Sequence, residues 1–243
     1  MDLIRIENFK KSFDKKVVHQ GINVSVKKGE CLGLIGGSGV GKSIILKSLI
    51  GLIKPDSGKI FIGDEEITDY SEDELIDIRK RVAYVFQNGA LFDSMSVYDN
   101  LAYPLREHTD LKEKSIKKRV LDLLEEFSLS GNENILPAEL SGGMQKRVGL
   151  ARSIILNPEV VLYDEPTAGL DPHNTIKIQE MIIQLKNKGV TSIFVTHDMP
   201  SALAVCDRMA IIVKGKIEAV GSTKEMQTDS DSLFYKFMQG KES

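Results

Sequence analysis

The sequence contains no apolar run that approaches the ~18 residues a membrane-spanning helix needs. It also lacks an excess of positive charge, and its net charge of −3 gives no electrostatic reason to expect nucleic acid as the main partner. Cysteine is scarce. Cys31 lies in a strand-like stretch and Cys206 near the end of a helix-like one, which predicts buried thiols in a reducing cytosol. The N-terminus alternates like a strand and shows no secretion signal. If the protein acts at a membrane, we expect it to act as a peripheral subunit.

The most informative stretch is residues 36–43, which match the phosphate-binding pattern G-x-x-x-x-G-K-[ST] at every fixed position. The apolar residues 31–35 before it predict a buried strand, and residues 43–50 predict a helix. Glycines let the backbone wrap closely around a phosphate chain, toward which the N–H groups of the helix start point. Lys42 is expected to reach the β- and γ-phosphates, and the Ser43 hydroxyl to ligate Mg²⁺. The predicted cofactor-binding residues here are Gly36, Gly37, Ser38, Gly39, Val40, Gly41, Lys42, Ser43 and Ile44.

Four further candidates follow stretches that predict buried strands. Ligands of open α/β sheets bind at the carboxyl ends of strands, so polar residues at those ends are expected to function. Asp164 is expected to hold Mg²⁺ through a water, and Glu165 to act as the general base on the attacking water. His197 is expected to contact the γ-phosphate and orient that water. Gln87 is a candidate for both a catalytic and a metal-binding role. Lys42 is also a candidate catalytic residue.

A second anion site is predicted where Ser141, Gly142 and Gly143 precede a helical stretch. A hydroxyl, backbone N–H groups and the helix dipole all favour negative charge there. The simpler interpretation is a serine N-cap. Phe13 also has two interpretations: an adenine-stacking platform in a polar loop outside the sheet, or a ring folded back onto the core.

The chain can bury one large core, or one core and a small subdomain, at 243 residues and 42% hydrophobic content. No strand pattern interrupts residues 93–158, where an apolar helical stripe contains Ile116, Val120, Leu123, Leu124 and Phe127. This predicts a helical subdomain inserted into an α/β core. We expect residues 1–243 to form a single nucleotide-binding domain. Its core, with an antiparallel β subdomain, comprises residues 1–92 and 158–220. A helical subdomain comprises residues 93–157, and a C-terminal tail comprises residues 221–243.

The ordered motifs are the phosphate loop, Gln87, LSGGMQ at 140–145, Asp164-Glu165, Leu170-Asp171 and His197. This order resembles the ATP-binding subunits of ABC transporters over essentially the whole chain. The resemblance implies an α/β fold, with a P-loop NTPase (RecA-like) core, an antiparallel β subdomain and an inserted α-helical subdomain.

The resemblance also implies a homodimer in which two ATP molecules lie between head-to-tail subunits. Ser141 and its two glycines would bind the γ-phosphate held by Lys42 of the other subunit. Asp171 is then expected to couple the two sites, Phe13 to stack on adenine, and Gln145 to contribute to the nucleotide site.

Three stretches are FQNGALFD at 86–93, NLAYPLRE at 100–107 and TAGLD at 167–171. They resemble more closely the ATPases of bacterial phospholipid-trafficking transporters of the Mla or MCE-associated group. This resemblance implies an ATPase using ATP and Mg²⁺ at the cytoplasmic face of the inner membrane. That ATPase would power phospholipid movement between the membranes of a Gram-negative-type envelope. The implied partners are a permease, an MCE-domain substrate-binding protein and a STAS-domain protein, without nucleic acid. The tail after Gly221 resembles the segment that meets the partner ATPase and the STAS subunit in that group.

Two residues depart from the family pattern, because Ile44 replaces the usual hydroxyl residue and Phe13 the commoner tyrosine. The main alternative function is an ABC ATPase for another solute, such as amino acids. A soluble non-transport ABC ATPase usually has two ATPase halves or a long coiled coil, which this sequence lacks. A P-loop kinase would not need the LSGGMQ element.

Overall fold

The computed structural model describes residues 1–228 and 234–235. Within them the strands are β1 (Asp2–Phe13), β2 (Lys16–Lys27), β3 (Cys31–Ile35), β4 (Ser57–Ile62), β5 (Glu65–Glu66), β6 (Val82–Val85), β7 (Val160–Asp164), β8 (Thr191–Val195), β9 (Arg208–Val213) and β10 (Lys216–Ser222). The helices are α1 (Lys42–Ser48), α2 (Glu72–Arg81), α3 (Val97–His108), α4 (Glu113–Glu126), α5 (Gly142–Ile154), α6 (Pro172–Asn187), α7 (Met199–Val205) and α8 (Thr223–Thr228).

Six strands form a central sheet in the order β10-β9-β3-β8-β7-β6. The pairs from β9 to β6 are parallel, and β10 closes one edge antiparallel to β9. Strands β3, β6 and β8 are buried along their whole length, as expected for parallel strands covered on both faces. The carboxyl ends of β3, β6, β7 and β8 therefore meet at one edge, where the candidate residues follow them.

A second, antiparallel sheet has the order β2-β1-β4-β5. Its alternating apolar residues share one core with α1 and one face of the central sheet, as the alternation in the sequence predicts. The prediction that Phe13 lies in a polar loop outside the sheet is wrong, because β1 extends to Phe13, which pairs directly with Lys16. Asp14 adopts a positive φ of 51°, and this tight turn leaves no room for a longer loop. Phe13 thus lies at the end of a strand.

Residues 93–157 form α3, α4, a 3-10 turn (Pro137–Glu139) and α5. The predicted stripe of α4 packs inward, with Leu123 partly buried and Ile116, Val120, Leu124 and Phe127 fully buried. These side chains belong to the core that covers the other face of the central sheet. Arg147 on α5 donates to the carbonyl of Phe127 at 3.1 Å and so anchors the end of α4.

Both cysteines are buried, as predicted, and a capping box begins α8. Cys31 and Cys206 are buried free thiols, with their Sγ atoms 3.9 Å apart. Ser222 and Glu225 form a capping box that opens α8. Of the tail beyond it, Phe234 is buried, while Leu233 and Phe237 lie outside the described residues. None of the helices in the described part of the chain has the length and hydropathy of a bilayer-spanning segment.

Candidate nucleotide-binding site

The phosphate loop connects the carboxyl end of β3 to the start of α1. Its last residue, Gly41, is the N-cap of α1 and has a left-handed φ of 97° that glycine adopts without strain. The loop packs tightly on both sides. A Cβ on Gly36 would lie 2.5 Å from the carbonyl oxygen of Ile212, and one on Gly41 would lie 2.6 Å from Nε2 of His19. The backbone itself therefore forms the walls of the loop.

Lys42 folds over this loop. Its side chain is 8% exposed, and Nζ donates to the carbonyl oxygens of Gly36 at 2.7 Å and Gly37 at 3.1 Å. An ammonium held among loop carbonyls at the start of a helix is placed to meet an anion that the loop encloses.

Ser43 and Asp164 lie next to each other at the same edge of the sheet. The Ser43 Oγ donates to Oδ1 of Asp164 at 2.8 Å, and the phenol of Tyr84 donates to Oδ2 at 2.6 Å. Burial, followed by the bond to the Asp164 carboxylate, raises the pKa of Tyr84 well above its usual value, so this phenol remains a donor. A hydroxyl and a carboxylate are the hard oxygen ligands that suit Mg²⁺ when phosphate oxygens and waters complete its shell. The described residues contain no group of three His, Cys, Asp or Glu side chains placed to hold a metal alone.

Glu165 and His197 form the next contact along this edge. Nδ1 of His197 is 2.9 Å from Oε2 of Glu165, and the same oxygen accepts from Oγ1 of Thr196 at 3.2 Å. The Glu165 side chain is 16% exposed and that of His197 is 72% exposed. Because the carboxylate accepts a hydrogen bond from Nδ1–H, Nε2 of a neutral His197 ring is the remaining acceptor. One oriented carboxylate and one oriented imidazole therefore lie beside the phosphate loop.

A cavity of about 610 Å³ lies between the phosphate loop and the Glu165–His197 contact, and it is lined by Ser38, Gly39, Gly41, Lys42, Ser43, Ile44, Glu165, Val195 and His197. A volume of this size suits a small-molecule ligand. A neighbouring cavity of about 510 Å³ shares Glu165 and His197 and continues toward residues 167–170.

Several predicted site residues lie outside the cavity at Lys42. Gln87 is exposed in a turn two residues after β6, and Phe13 is 45% exposed at the end of β1. Ser141 and Gly142 are exposed at the start of α5, where Ser141 Oγ accepts from the N–H of Met144 at 3.3 Å. The single chain does not bring these residues to its own phosphate loop.

Gly143, Asp171 and Gln145 have structural contacts within the chain. Asp171 caps α6 by accepting from the N–H of Asn174 at 3.0 Å, which lowers the pKa of its carboxyl. A Cβ on Gly143 would lie 2.4 Å from the Asn174 side chain, so the start of α5 and the start of α6 are in close contact. The Gln145 amide donates to the carbonyl of Pro137 at 2.9 Å and holds the turn before α5.

Three residues of this region were not predicted from the sequence as site residues. Tyr84 is the polar side chain in an otherwise apolar strand, which was an available signal. Lys146 donates its Nζ to the carbonyl of Ala168, in the loop after Glu165. His19 is fully buried against the phosphate loop. No local sequence pattern marks either of the last two contacts.

Residues 19–168 match the family profile described as ABC transporter. The intermembrane phospholipid transport system ATP-binding protein MlaF of Haemophilus influenzae is 38% identical over 240 residues, which cover 98% of this chain and 91% of that protein. The probable ribonucleotide transport ATP-binding protein mkl of Mycobacterium leprae is also 38% identical, over 98% of this chain and 69% of that protein. A solved dimeric ATP-binding cassette in a post-hydrolysis state, bound to ADP and Pi, superposes with a TM-score of 0.84 at 30% identity, over 90% of this chain and 98% of that one. This superposition confirms the predicted α/β fold with a P-loop core.

Proposed function

This chain belongs to the ABC transporter family as an ATP-binding and ATP-hydrolysing subunit, and we propose that it powers a transporter of phospholipid between the membranes of a Gram-negative-type envelope. The observation that carries the hydrolytic part is the convergence at one sheet edge of the Ser43–Asp164 bond and the Glu165–His197 contact. The similarity to MlaF over 98% of this chain supports the phospholipid part.

The phosphate loop and Lys42 bind the β- and γ-phosphates in this proposal. The N–H groups at the start of α1 and the Lys42 ammonium are fixed in place before the reaction, so they stabilise the charge that develops on the transferred phosphoryl oxygens. Ser43 and Asp164 would hold Mg²⁺, and Gln87, in the exposed turn after β6, would be a further ligand. The metal, when bound, supplies additional neutralisation of phosphate charge.

Glu165 accepts the proton of the attacking water. His197 and Thr196 both contact Oε2 of its carboxylate, and Glu165 lines the cavity beside the phosphate loop. His197 in turn presents Nε2 toward the γ-phosphate position. Hydrogen-bonded orientation of a base by a second group is the general arrangement of such sites.

The functional unit is a head-to-tail homodimer. Within one chain, Ser141 and Gly142 are exposed and lie outside the cavity at Lys42, so a partner's phosphate loop can reach them. The solved cassette at 30% identity is a dimer with ADP and Pi bound. Ser141, Gly142 and Gly143 of one subunit therefore complete the site of the other, and Asp171 and Phe13 contribute coupling and base stacking.

A mixing experiment tests this shared site. Lys42→Ala and Ser141→Arg proteins are each expected to be inactive as homodimers. In a mixture, a mixed dimer has both defects in one site and none in the other. We expect recovery of roughly a quarter of the wild-type rate, because half of the dimers are mixed and each holds one intact site of two. A mixture that stays as inactive as its components, despite heterodimers detected by native mass spectrometry, would contradict the shared site.

The permease is proposed to dock on the groove beside Gln87. This groove, about 310 Å³ in volume, is lined by residues of α2, β6, α3 and α5. Phe86, Phe92 and Tyr103 expose aromatic surface in the segment from the end of β6 into α3, and aromatic residues are enriched in interface cores. Residues 93–157 would move as a helical subdomain and transmit closure of the dimer to this groove. The protein would then act as a peripheral subunit at the cytoplasmic face of the inner membrane.

Purification of the tagged protein from native membranes tests the cargo. Recovery of a permease with an MCE-domain protein and a STAS-domain protein supports the phospholipid proposal, whereas an amino-acid permease rejects it. The ribonucleotide transport named for mkl, at the same identity, is the second candidate, and a nucleotide-binding receptor among the recovered subunits would favour it. A Lys42→Ala bait is the matched control, since partner docking does not require hydrolysis.

A further inference from the structure

His19 lies on β2, directly opposite Lys11 of β1, and its side chain is fully buried. Its imidazole contacts the phosphate loop through Nε2, which is 3.1 Å from the carbonyl oxygen of Gly41. The ring of Phe9 packs edge-on against it at a centroid distance of 5.5 Å. A buried imidazole that the proposed reaction does not use therefore touches the residue immediately before Lys42.

The contact fixes the tautomer of His19. A carbonyl oxygen can only accept, so Nε2 carries the hydrogen. The other nitrogen, Nδ1, is buried and has no partner among the described residues. Leaving a polar atom unpaired in the core is unfavourable, and an apolar side chain would avoid it. The property that distinguishes histidine from leucine at this position is the hydrogen bond to Gly41.

The direction of the Gly41 carbonyl determines where the backbone N–H of Lys42 points. The peptide between Gly41 and Lys42 is planar and trans, so its C=O and its N–H point in opposite directions. Fixing the carbonyl toward His19 directs the Lys42 N–H away from the core, toward the cavity that both residues line. Within α1 the same carbonyl also accepts from the N–H of Ile44 at 2.9 Å and from the N–H of Ile45 at 3.4 Å. His19 adds a third donor to this carbonyl, from outside the helix.

Strand β2 is itself held firmly behind the loop. The N–H of Gln20 donates to the carbonyl of Gly215 at 2.9 Å, in the turn between β9 and β10. A Cβ on Gly215 would lie 2.3 Å from the carbonyl oxygen of Val18. His19 therefore projects from a strand whose neighbouring residues, Val18 and Gln20, contact the turn between β9 and β10.

We propose that His19 is a positioning residue for nucleotide binding: its Nε2–H bond holds the Gly41–Lys42 peptide with the N–H directed at the phosphates. This inference rests on the proposed ATP site and is independent of the cargo. It predicts an effect on phosphate binding and none on base recognition, since the hydrogen bond of His19 is made to the phosphate loop and does not involve Phe13.

The experiment compares wild type with His19→Leu and His19→Gln in the complete transporter, or in the isolated subunit where that hydrolyses ATP. Leucine fills the space without a donor, and glutamine offers an amide N–H₂ in place of Nε2–H. We expect His19→Leu to raise KM for ATP about fivefold, with kcat within about twofold of wild type. The inhibition constant of inorganic tripolyphosphate should rise in parallel. His19→Gln should restore both values to within about twofold.

Phe13→Leu is the comparison variant, because it should raise KM for ATP without changing the inhibition constant of tripolyphosphate. Unchanged KM and tripolyphosphate inhibition in His19→Leu would overturn the proposal. So would a loss of kcat and thermal stability that glutamine does not rescue, which would indicate a purely structural side chain. Failure of the proposed function is separately visible, since wild type itself would then show no ATP hydrolysis.

Discussion

The Oγ of Ser43 donates a 2.8 Å hydrogen bond to Oδ1 of Asp164, across 121 positions of sequence. Ser43 comes after β3 and the phosphate loop, and Asp164 is the last residue of β7. Strand β8 lies between β3 and β7 in the sheet. The contact between Ser43 and Asp164 brings the hydroxyl that starts α1 to the carboxylate that ends β7. Both groups of the proposed Mg²⁺ site are therefore already adjacent, and the phenol of Tyr84 holds the second oxygen of the carboxylate.

Tyr84→Phe is expected to weaken Mg²⁺ use while preserving the fold. The ring stays packed, but the Asp164 carboxylate loses its 2.6 Å donor and becomes free to rotate. A hydrogen bond to a charged group contributes about 1.5–3 kcal/mol, so we expect the Mg²⁺ concentration for half-maximal hydrolysis to rise about tenfold. Hydrolysis measured over a Mg²⁺ titration checks this.

Tyr98→Phe on α3 is the matched control, since it removes a phenol that lines neither of the two cavities at the site. Equal Mg²⁺ requirements in Tyr84→Phe and wild type would show that Asp164 is oriented by other groups.

Glu165→Gln is expected to abolish hydrolysis and retain ATP binding. The amide keeps the shape of the side chain but cannot accept a proton, and general-base catalysis contributes about 100-fold or more. With ATP bound and uncleaved, the closed dimer should accumulate, which size-exclusion chromatography with light scattering can measure. Glu125→Gln, at an exposed carboxylate of α4, serves as the control. Hydrolysis within a few-fold of wild type would remove Glu165 from the role of base.

The phosphate loop, the strand-end acids and the α4 stripe were predictable because each depends on a short, continuous sequence pattern. A buried parallel strand has a continuous apolar run, and the residue after it lies at the ligand edge whatever the strand order. Phe13 was misplaced because the polar residues before it hid the continuation of β1. In an antiparallel sheet, such a polar end can remain paired.

The contacts of Tyr84, Lys146 and His19 could not be predicted in the same way. Tyr84 meets Asp164 only because β6 is the neighbour of β7 in the sheet. Lys146 meets Ala168 because α5 packs beside the loop after β7. His19 depends on how the antiparallel sheet lies over the phosphate loop. Such contacts follow from tertiary packing. The local sequence marks Tyr84 only as the polar side chain of an apolar strand, and it does not mark Lys146 or His19.

Lys146→Met is expected to lower kcat more than it raises KM for ATP. Nζ of Lys146 donates to the carbonyl of Ala168, so it joins the helix that begins after Ser141 to the loop that follows Glu165. Without this bond the loop gains freedom, and loss of about 1 kcal/mol of orientation corresponds to roughly a fivefold lower kcat. Lys146→Arg should retain most of the activity, and Lys118→Met on the exposed face of α4 should change nothing. A rise in KM alone would show that the contact supports binding instead of catalysis.

His19 is expected to make stability depend on pH below neutrality. Burial is the largest influence on its pKa and lowers it from the ordinary value of 6.5, while the hydrogen bond to Gly41 has a smaller effect in the opposite direction. The unfolded chain therefore binds a proton at a higher pH than the folded protein does. Below pH 6.5 the unfolded state takes up that proton first, so the free energy of unfolding falls as the pH falls, by about 1.4 kcal/mol per pH unit until the folded pKa is reached.

The measurement is denaturant unfolding of wild type and His19→Leu at pH 7.5, 6.5 and 5.5. Leucine cannot be protonated, so the wild type should lose more stability than the variant on acidification, and the two should differ by a constant amount above pH 7. The exposed His108, His173 and His197 are present in both proteins, as are Lys11 and Lys42 on the elements that pack around residue 19, so their contributions cancel in the difference. Parallel curves across the whole range would mean that the buried imidazole is protonated as readily in the folded protein as in the unfolded chain. That outcome would require an acceptor for Nδ1 in solution, and the Nε2–H bond to Gly41 would then no longer be the ring's only polar contact.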